Sequence, residues 1–300
     1  MNQETAITIF PKPPLALLFA AMVGGGTACG DGTPARLAPV DAGNQAAWAV
    51  AAPVAVGLDE AKLEAARDYV FQDDFHTQAV VVIRHGYLAA EWYADGTDAD
   101  TLAASWSIAK SFTATLIGMA IADGEIAGVD RSMSTFIPTW AGTDRAQIAL
   151  SDVLAMSSGL DWVEDYDNLE TEAGTSDVAS MVLTSEPLSV ALNQPVRDAA
   201  GAAWNCSSGD TMLLGHVLHQ ATAKTAADLV QTKLAEPLHM RELHWWRDAA
   251  DNTYTFCCTD ATPRDFAKFG QLYLQEGVWD GRQLVPADWI AAALSPQASA

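Results

Sequence analysis

Basic residues are scarce: Lys and Arg together number 16 against 38 Asp and Glu in 300 residues, a formal net charge of −22. A surface of that sign repels nucleic acid and anionic membranes, so neither is expected as a partner. Cysteines number only 4, and no two stand in a Cys-x-x-Cys spacing, which leaves a zinc knuckle without support. No Gly-x-Ser-x-Gly segment occurs, which removes the nucleophile elbow of α/β-hydrolases. No Gly-x-x-x-x-Gly-Lys-Ser/Thr segment offers a nucleotide-phosphate loop. Internal repeats are absent, and the apolar run Pro14–Val23 is too short to span a bilayer as a helix.

What is present points to a folded body. Half the residues are hydrophobic, with 10 Trp, 9 Phe and 6 Tyr among them, and a chain of this length is expected to form one or two domains of about 150 residues each. Pro14–Val23 runs into Gly-Gly-Gly-Thr-Ala-Cys-Gly, an apolar stretch of signal-peptide length ending in small residues. The segment Gly26-Thr27-Ala28-Cys29-Gly30 resembles a bacterial lipobox, in which cleavage before the cysteine precedes its lipidation. The expectation is a signal peptide over 1–28, export to the periplasm or cell surface, and membrane attachment only through a lipid anchor at Cys29. An apolar N-terminal helix of a cytoplasmic protein is the other reading. Residues 31–56 are rich in Ala, Pro and Gly without periodicity, so 29–57 reads as a tether ahead of a folded body over 58–300. For Cys206 and the adjacent Cys257-Cys258, buried free thiols are the expectation, a bridge from Cys206 to either of the pair the alternative.

Within the body, Asp59–Gln72 carries apolar residues at helical spacing behind a capping Asp. Ala79–Ile83 is β-branched, ends at His85-Gly86 and resumes over Tyr87–Tyr93, the pattern of a hairpin. Helices are predicted over Ser107–Ala122, Ser151–Met156, Ser176–Thr184, Ser208–Ala221, Ala226–Ala235, Pro263–Gln275 and Pro286–Leu294. A hairpin with flanking helices and a largely helical block is α+β architecture, although two strands make only a marginal sheet.

Chemistry concentrates at the start of the most apolar helical segment, Ser107-Ile108-Ala109-Lys110. Three residues of separation put the hydroxyl and the amine on one helix face. A lysine in a partly dry pocket loses proton affinity and can activate the serine, while the helix N-terminus favours an oxyanion beside it. The same residues also fit a helix-capping serine with a lysine reaching for solvent. His216 and His219 face one side of a helix as a metal pair would, but no third ligand stands nearby. The acidic clusters Asp123-Gly124-Glu125 and Asp161–Glu172 lack an EF-hand spacing and read as solvated loops.

Four segments together carry a resemblance. Ser107–Phe112, Leu154–Trp162, Ser208–Gly215, and Phe256–Thr259 with Arg264–Gly270 look like the serine β-lactamase and penicillin-binding-protein superfamily. The branch they resemble is that of class C-like serine hydrolases, which includes esterases and 6-aminohexanoate-dimer hydrolases. The resemblance implies an antiparallel sheet flanked by helices and a helical lobe over about 105–224. It implies Ser107 as acylated nucleophile and oxyanion donor, Lys110 as its proton acceptor, and Tyr166 as a substrate-contacting tyrosine unless that residue rests on the surface. A small ester, amide or lactam would be the substrate, without metal or organic cofactor. In the second motif of the family, Tyr-x-Asn or Tyr-x-Ser, Ser208 matches the third position while Cys206 stands where the tyrosine belongs. Family members continue into further strands bearing a third motif. The sequence ends at Ala300 before any such segment, so an incomplete sheet is expected, as in a truncated chain or one completed by another. A non-catalytic relative and a peptidoglycan carboxypeptidase are the alternatives.

Overall fold

The computed structural model describes residues 6–11, 47–166 and 176–296. The apolar run of the N-terminus, Cys29 and most of the tether lie outside them. In chain order the described residues form β1 (Ala6–Pro11), β2 (Ala49–Val50), α1 (Glu60–Val70), β3 (Thr77–Arg84), β4 (Tyr87–Tyr93) and β5 (Ala103–Ala104). A helical stretch follows: α2 (Ile108–Ala122), α3 (Leu150–Leu154), α4 (Asp177–Leu183), α5 (Pro187–Leu192), α6 (Ser208–Thr222) and α7 (Ala226–Val230). Then come β6 (Leu243–Trp245), β7 (Thr259–Ala261), α8 (Pro263–Leu274), β8 (Val278–Trp279), β9 (Arg282–Gln283) and α9 (Ala287–Ala293). No described helix is long and apolar enough to cross a membrane.

The chain divides into two compact units. One is built from the chain up to Ser105 with Leu234–Leu243 and Asp260–Ala287, the other from Trp106–Lys233, His244–Thr259 and the chain from Asp288. In the first unit the hairpin β3–β4 turns through His85 and Gly86, both at positive φ (53° and 81°), as a tight two-residue turn requires. The hairpin is not isolated, because β1 pairs antiparallel with β3 and β2 parallel with β4, giving the order β1-β3-β4-β2. The sequence reading placed β1 in the signal peptide and β2 in the tether, both ahead of the folded body. Val80, Val81, Val82 and Ile83 are all buried, so β3 is covered on both faces and reads as a continuous apolar run.

One sheet face packs on α8. Val81, Ile83 and Leu88 cluster with Ala267, and Trp48 lies against them with its Nε1 donating to the Arg264 carbonyl at 3.1 Å. Arg264 in turn pairs with Glu91 (2.7 Å from Nε), which also accepts Tyr93 OH at 2.7 Å. Burial pushes the Glu91 carboxyl up, but the bonds from Arg264 and Tyr93 outweigh it and hold the group below its ordinary range. Asp265 and Lys268 form a buried ion pair at 2.9 Å, with Asp265 also accepting the Arg241 amide. The motif segment Arg264–Gly270 therefore anchors a helix to this unit's sheet.

In the second unit α2 packs on α6 and α7, and α6 on α3, α4 and α5. Most of α2 is buried, including Ile108, Phe112, Thr113, Leu116, Ile117 and Met119. Thr113 satisfies its hydroxyl on the carbonyls of Ala109 (3.1 Å) and Thr255 (2.9 Å), as a buried polar group must. Gly118 is required by the Trp289 ring of α9, which fills the space a Cβ would need. Cys257 and Cys258 are joined to each other by a disulfide and Cys206 is unbridged, which corrects the expectation of free thiols at 257 and 258 or of a bridge to Cys206.

Candidate active site

Trp106 enters α2 in the left-handed region (φ 46°), a costly conformation for a non-glycine residue that is tolerated where the surroundings demand it. It delivers Ser107 to the N-cap position, yet the Ser107 side chain makes no capping hydrogen bond. One turn on, the Lys110 Nζ donates to Ser107 Oγ at 3.2 Å and to Ser208 Oγ at 3.2 Å. The Lys110 side chain is 11% exposed. The pair is thus neither a helix cap nor a lysine reaching for solvent.

Ser208 opens α6. Ser207 before it accepts the Asp210 amide at 2.9 Å as helix cap, which leaves the Ser208 side chain for other partners. Both the Ser208 amide (2.9 Å) and its hydroxyl (2.5 Å) donate to Glu164. The same carboxylate accepts Trp162 Nε1 at 2.5 Å and the Tyr166 hydroxyl, and it lies 3.9 Å from Lys110 Nζ. Its side chain is only 6% exposed. Glu164 belongs to the acidic run read from sequence as a solvated loop, and the structure corrects that reading. The available signal was Trp162-x-Glu164-x-Tyr166, an alternation that puts three side chains on one side of an extended segment.

Two further contacts lock this loop to α6. The Trp162 ring lies against Gly209, where a Cβ would come within 2.5 Å of it. Asp210, 1% exposed, accepts the Ser158 hydroxyl at 2.8 Å. Burial pushes Asp210 up to about 7; the Glu164 charge adds to this, and hydrogen bonds from Ser158 and Ser207 oppose it. Gly159 turns the loop at φ 76°, its carbonyl accepting the amides of Arg197 (2.8 Å) and Asp198 (3.0 Å).

Cys206 lies close enough to Lys110 and Glu164 to feel both charges. Burial pushes its thiol up; Lys110 opposes the rise and Glu164 adds to it. Tyr166, 48% exposed, has its phenol raised well above the ordinary range by burial and by its bond to Glu164. The structure thus brings together Ser107, Lys110, Cys206, Ser208 and Tyr166, and adds Glu164. Cys29 lies outside the described residues. His216 is held by the Phe136 backbone and its imidazole is lowered by burial. Among the described residues no group of three His, Cys, Asp or Glu side chains could hold a metal ion. Asp123 pairs with Lys233, and Asp161 with Arg197 at 3.1 Å.

An amine between two hydroxyls at the head of a buried helix, in an α+β chain, defines a serine-and-lysine site. The family model described as Beta-lactamase matches residues 62–300, and the chain belongs to that family. The 6-aminohexanoate-dimer hydrolase of Paenarthrobacter ureafaciens is 24% identical over 225 residues, which is 73% of this chain and 57% of that protein. Esterase EstB of Burkholderia gladioli is 30% identical over 212 residues, 63% of this chain and 53% of its own length. The chain thus spans little more than half of each of these curated relatives. A class C beta-lactamase structure shares the fold with a TM-score of 0.56 at 19% identity, covering 79% of this chain and 70% of that one.

Proposed function

We propose that the protein is a serine hydrolase that cleaves an ester or an amide, a β-lactam included, through an acyl-enzyme on Ser107. The observation that carries this reading is the Lys110 amine within 3.2 Å of both Ser107 Oγ and Ser208 Oγ, on a lysine side chain only 11% exposed. In the first step Ser107 Oγ attacks the substrate carbonyl while Lys110 takes its proton, and the positive end of α2 favours the oxyanion. Water then hydrolyses the acyl-enzyme. Tyr166, half-exposed and bonded to Glu164, would be the residue that touches the substrate. Hydrolysis of p-nitrophenyl acetate and of a chromogenic cephalosporin by the wild type, lost in Ser107→Ala, is the expected result. Equal rates in both proteins would overturn the reading.

Cys206 supports a second reading. A thiol is shorter than a phenol and a different acid, so a protein built on this site could be a non-catalytic relative that retained the fold. Absence of turnover by a folded protein would establish that alternative.

For localisation we infer export, with lipid on Cys29, from the apolar run and the small-residue segment that precedes the cysteine. Metabolic labelling with palmitate in a bacterial host is expected to mark the wild type and spare Cys29→Ala. Label in both would rule the anchor out.

A further inference from the structure

We propose that Glu164 is a positioning residue: it fixes the hydrogen-bond polarity of Ser208 and thereby reserves the lone pair of Lys110 for Ser107. The inference deepens the serine-hydrolase reading and rests on it. Glu164 is the node of the site, accepting Ser208 Oγ and Tyr166 OH on one carboxylate oxygen and Trp162 Nε1 and the Ser208 amide on the other. A carboxylate has no hydrogen to give, so the single hydrogen of the Ser208 hydroxyl is committed to Glu164. Ser208 can then only accept from Lys110, whose Nζ is 3.2 Å away.

The consequence appears when Lys110 acts as a base. A neutral amine has two hydrogens and one lone pair. With one N–H held by Ser208, the lone pair is free to face the Ser107 hydroxyl, 3.2 Å distant. The Ser107 O–H bond breaks, its proton passes to that lone pair, and the Oγ electron pair forms the new bond to the electrophile. Were the Ser208 hydroxyl free to turn, it could donate to the same lone pair and compete with Ser107. Trp162 Nε1 and the Ser208 amide are obligate donors facing the other carboxylate oxygen, so whatever side chain stands at 164 must turn an acceptor toward them.

Glu164→Gln tests this, because it preserves shape and reverses polarity. The two obligate donors hold the amide oxygen, so the amide NH₂ faces Ser208 and turns its hydrogen toward Lys110. The measurement is inactivation of the full chain by a fluorophosphonate, in which an Oγ–P bond forms as P–F breaks and fluoride leaves. Rate constant at saturation and half-saturating concentration are read separately. The expected result is a saturating rate at least about tenfold lower in Glu164→Gln with half-saturation unchanged. The shorter carboxylate of Glu164→Asp should keep more of the rate than the isosteric amide, and in a Ser208→Ala background the loss from Glu164→Gln should shrink to less than about threefold. Equal losses in the Gln and Asp variants, or an undiminished loss without the Ser208 hydroxyl, would overturn the proposal as a matter of shape alone. A Gln variant as fast as the wild type would overturn it too. If Glu164→Gln does not fold by circular dichroism, Glu164→Asp against Glu164→Asn makes the same comparison at one length, and equal rates there contradict it. A wild type that takes no label fails at Ser107 itself, a result that overturns the serine-hydrolase reading and this inference with it.

Discussion

Asp210 is buried beneath the loop that carries Glu164, with Ser158 as its donor at 2.8 Å, and its carboxyl is lifted from 3.8 to about 7, first by burial. Between those values the folded chain binds a proton that the unfolded chain has released. The contribution of Asp210 to stability therefore falls as pH rises from about 4 to about 7, by up to about 1.4 kcal/mol per pH unit, and is level above. Asp210→Asn keeps an oxygen for Ser158 and removes the titration. Urea denaturation at pH 5 and pH 8 is expected to show a smaller stability difference in the variant than in the wild type; an unchanged difference would place the titration elsewhere. Beside Asp210, Gly209 leaves room for the Trp162 ring that donates to Glu164. Gly209→Ala should cost about 1–3 kcal/mol by overpacking and slow Ser107 labelling as well, since the displaced ring carries the indole N–H with it. A stable variant with normal labelling would mean that Trp162 does not support the site.

Helices were the readable elements because their signals are local. Asp59, read as a cap, accepts an amide of the helix it precedes, and Ser176, Ser207, Thr225 and Thr262 do the same for theirs. The Ser107–Lys110 pair was readable for the same reason, being one helical turn. Strands β1, β2 and β5 were not, because their pairing is decided by residues far along the chain and two to six residues carry too little period. Glu164 was missed likewise: it lies in an irregular stretch and owes its burial to Ser208, which is 44 residues away. The disulfide between Cys257 and Cys258 closes no loop that spacing could flag. A tryptic peptide containing both cysteines, isolated without reductant, should be two hydrogens lighter than its reduced form, and the reduced mass would contradict the bond. The sheet carries its own prediction. A chain lacking residues 1–28, as export with cleavage before Cys29 would leave it, has lost β1 and with it the pairing of Ala6 with Ile83 through Phe10 with Ala79. Amide exchange along β3 should accelerate in that chain, and the open edge should promote self-association. Unchanged protection would show that β3 does not depend on β1.

For the molecule as a whole, the net charge of −22 and the two compact units set the background for a site lodged in the second of them. Everything identified around Ser107, from Lys110 through Ser208 and Glu164 to Tyr166, comes from the Trp106–Lys233 stretch of that unit. The family could be read from motifs because each sits at a helix start or a tight turn, where few residue types fit. The substrate could not, because the shape of the pocket decides it. The central claim is that Lys110 activates Ser107 with a thiol at position 206, and intact-mass analysis after exposure to a fluorophosphonate tests it most directly. The account predicts one adduct per chain on the wild type and none on Ser107→Ala, with labelling slowed by about 10²–10⁴-fold in Lys110→Ala. A folded wild type that gains no mass, or an adduct that persists in Ser107→Ala, would contradict it.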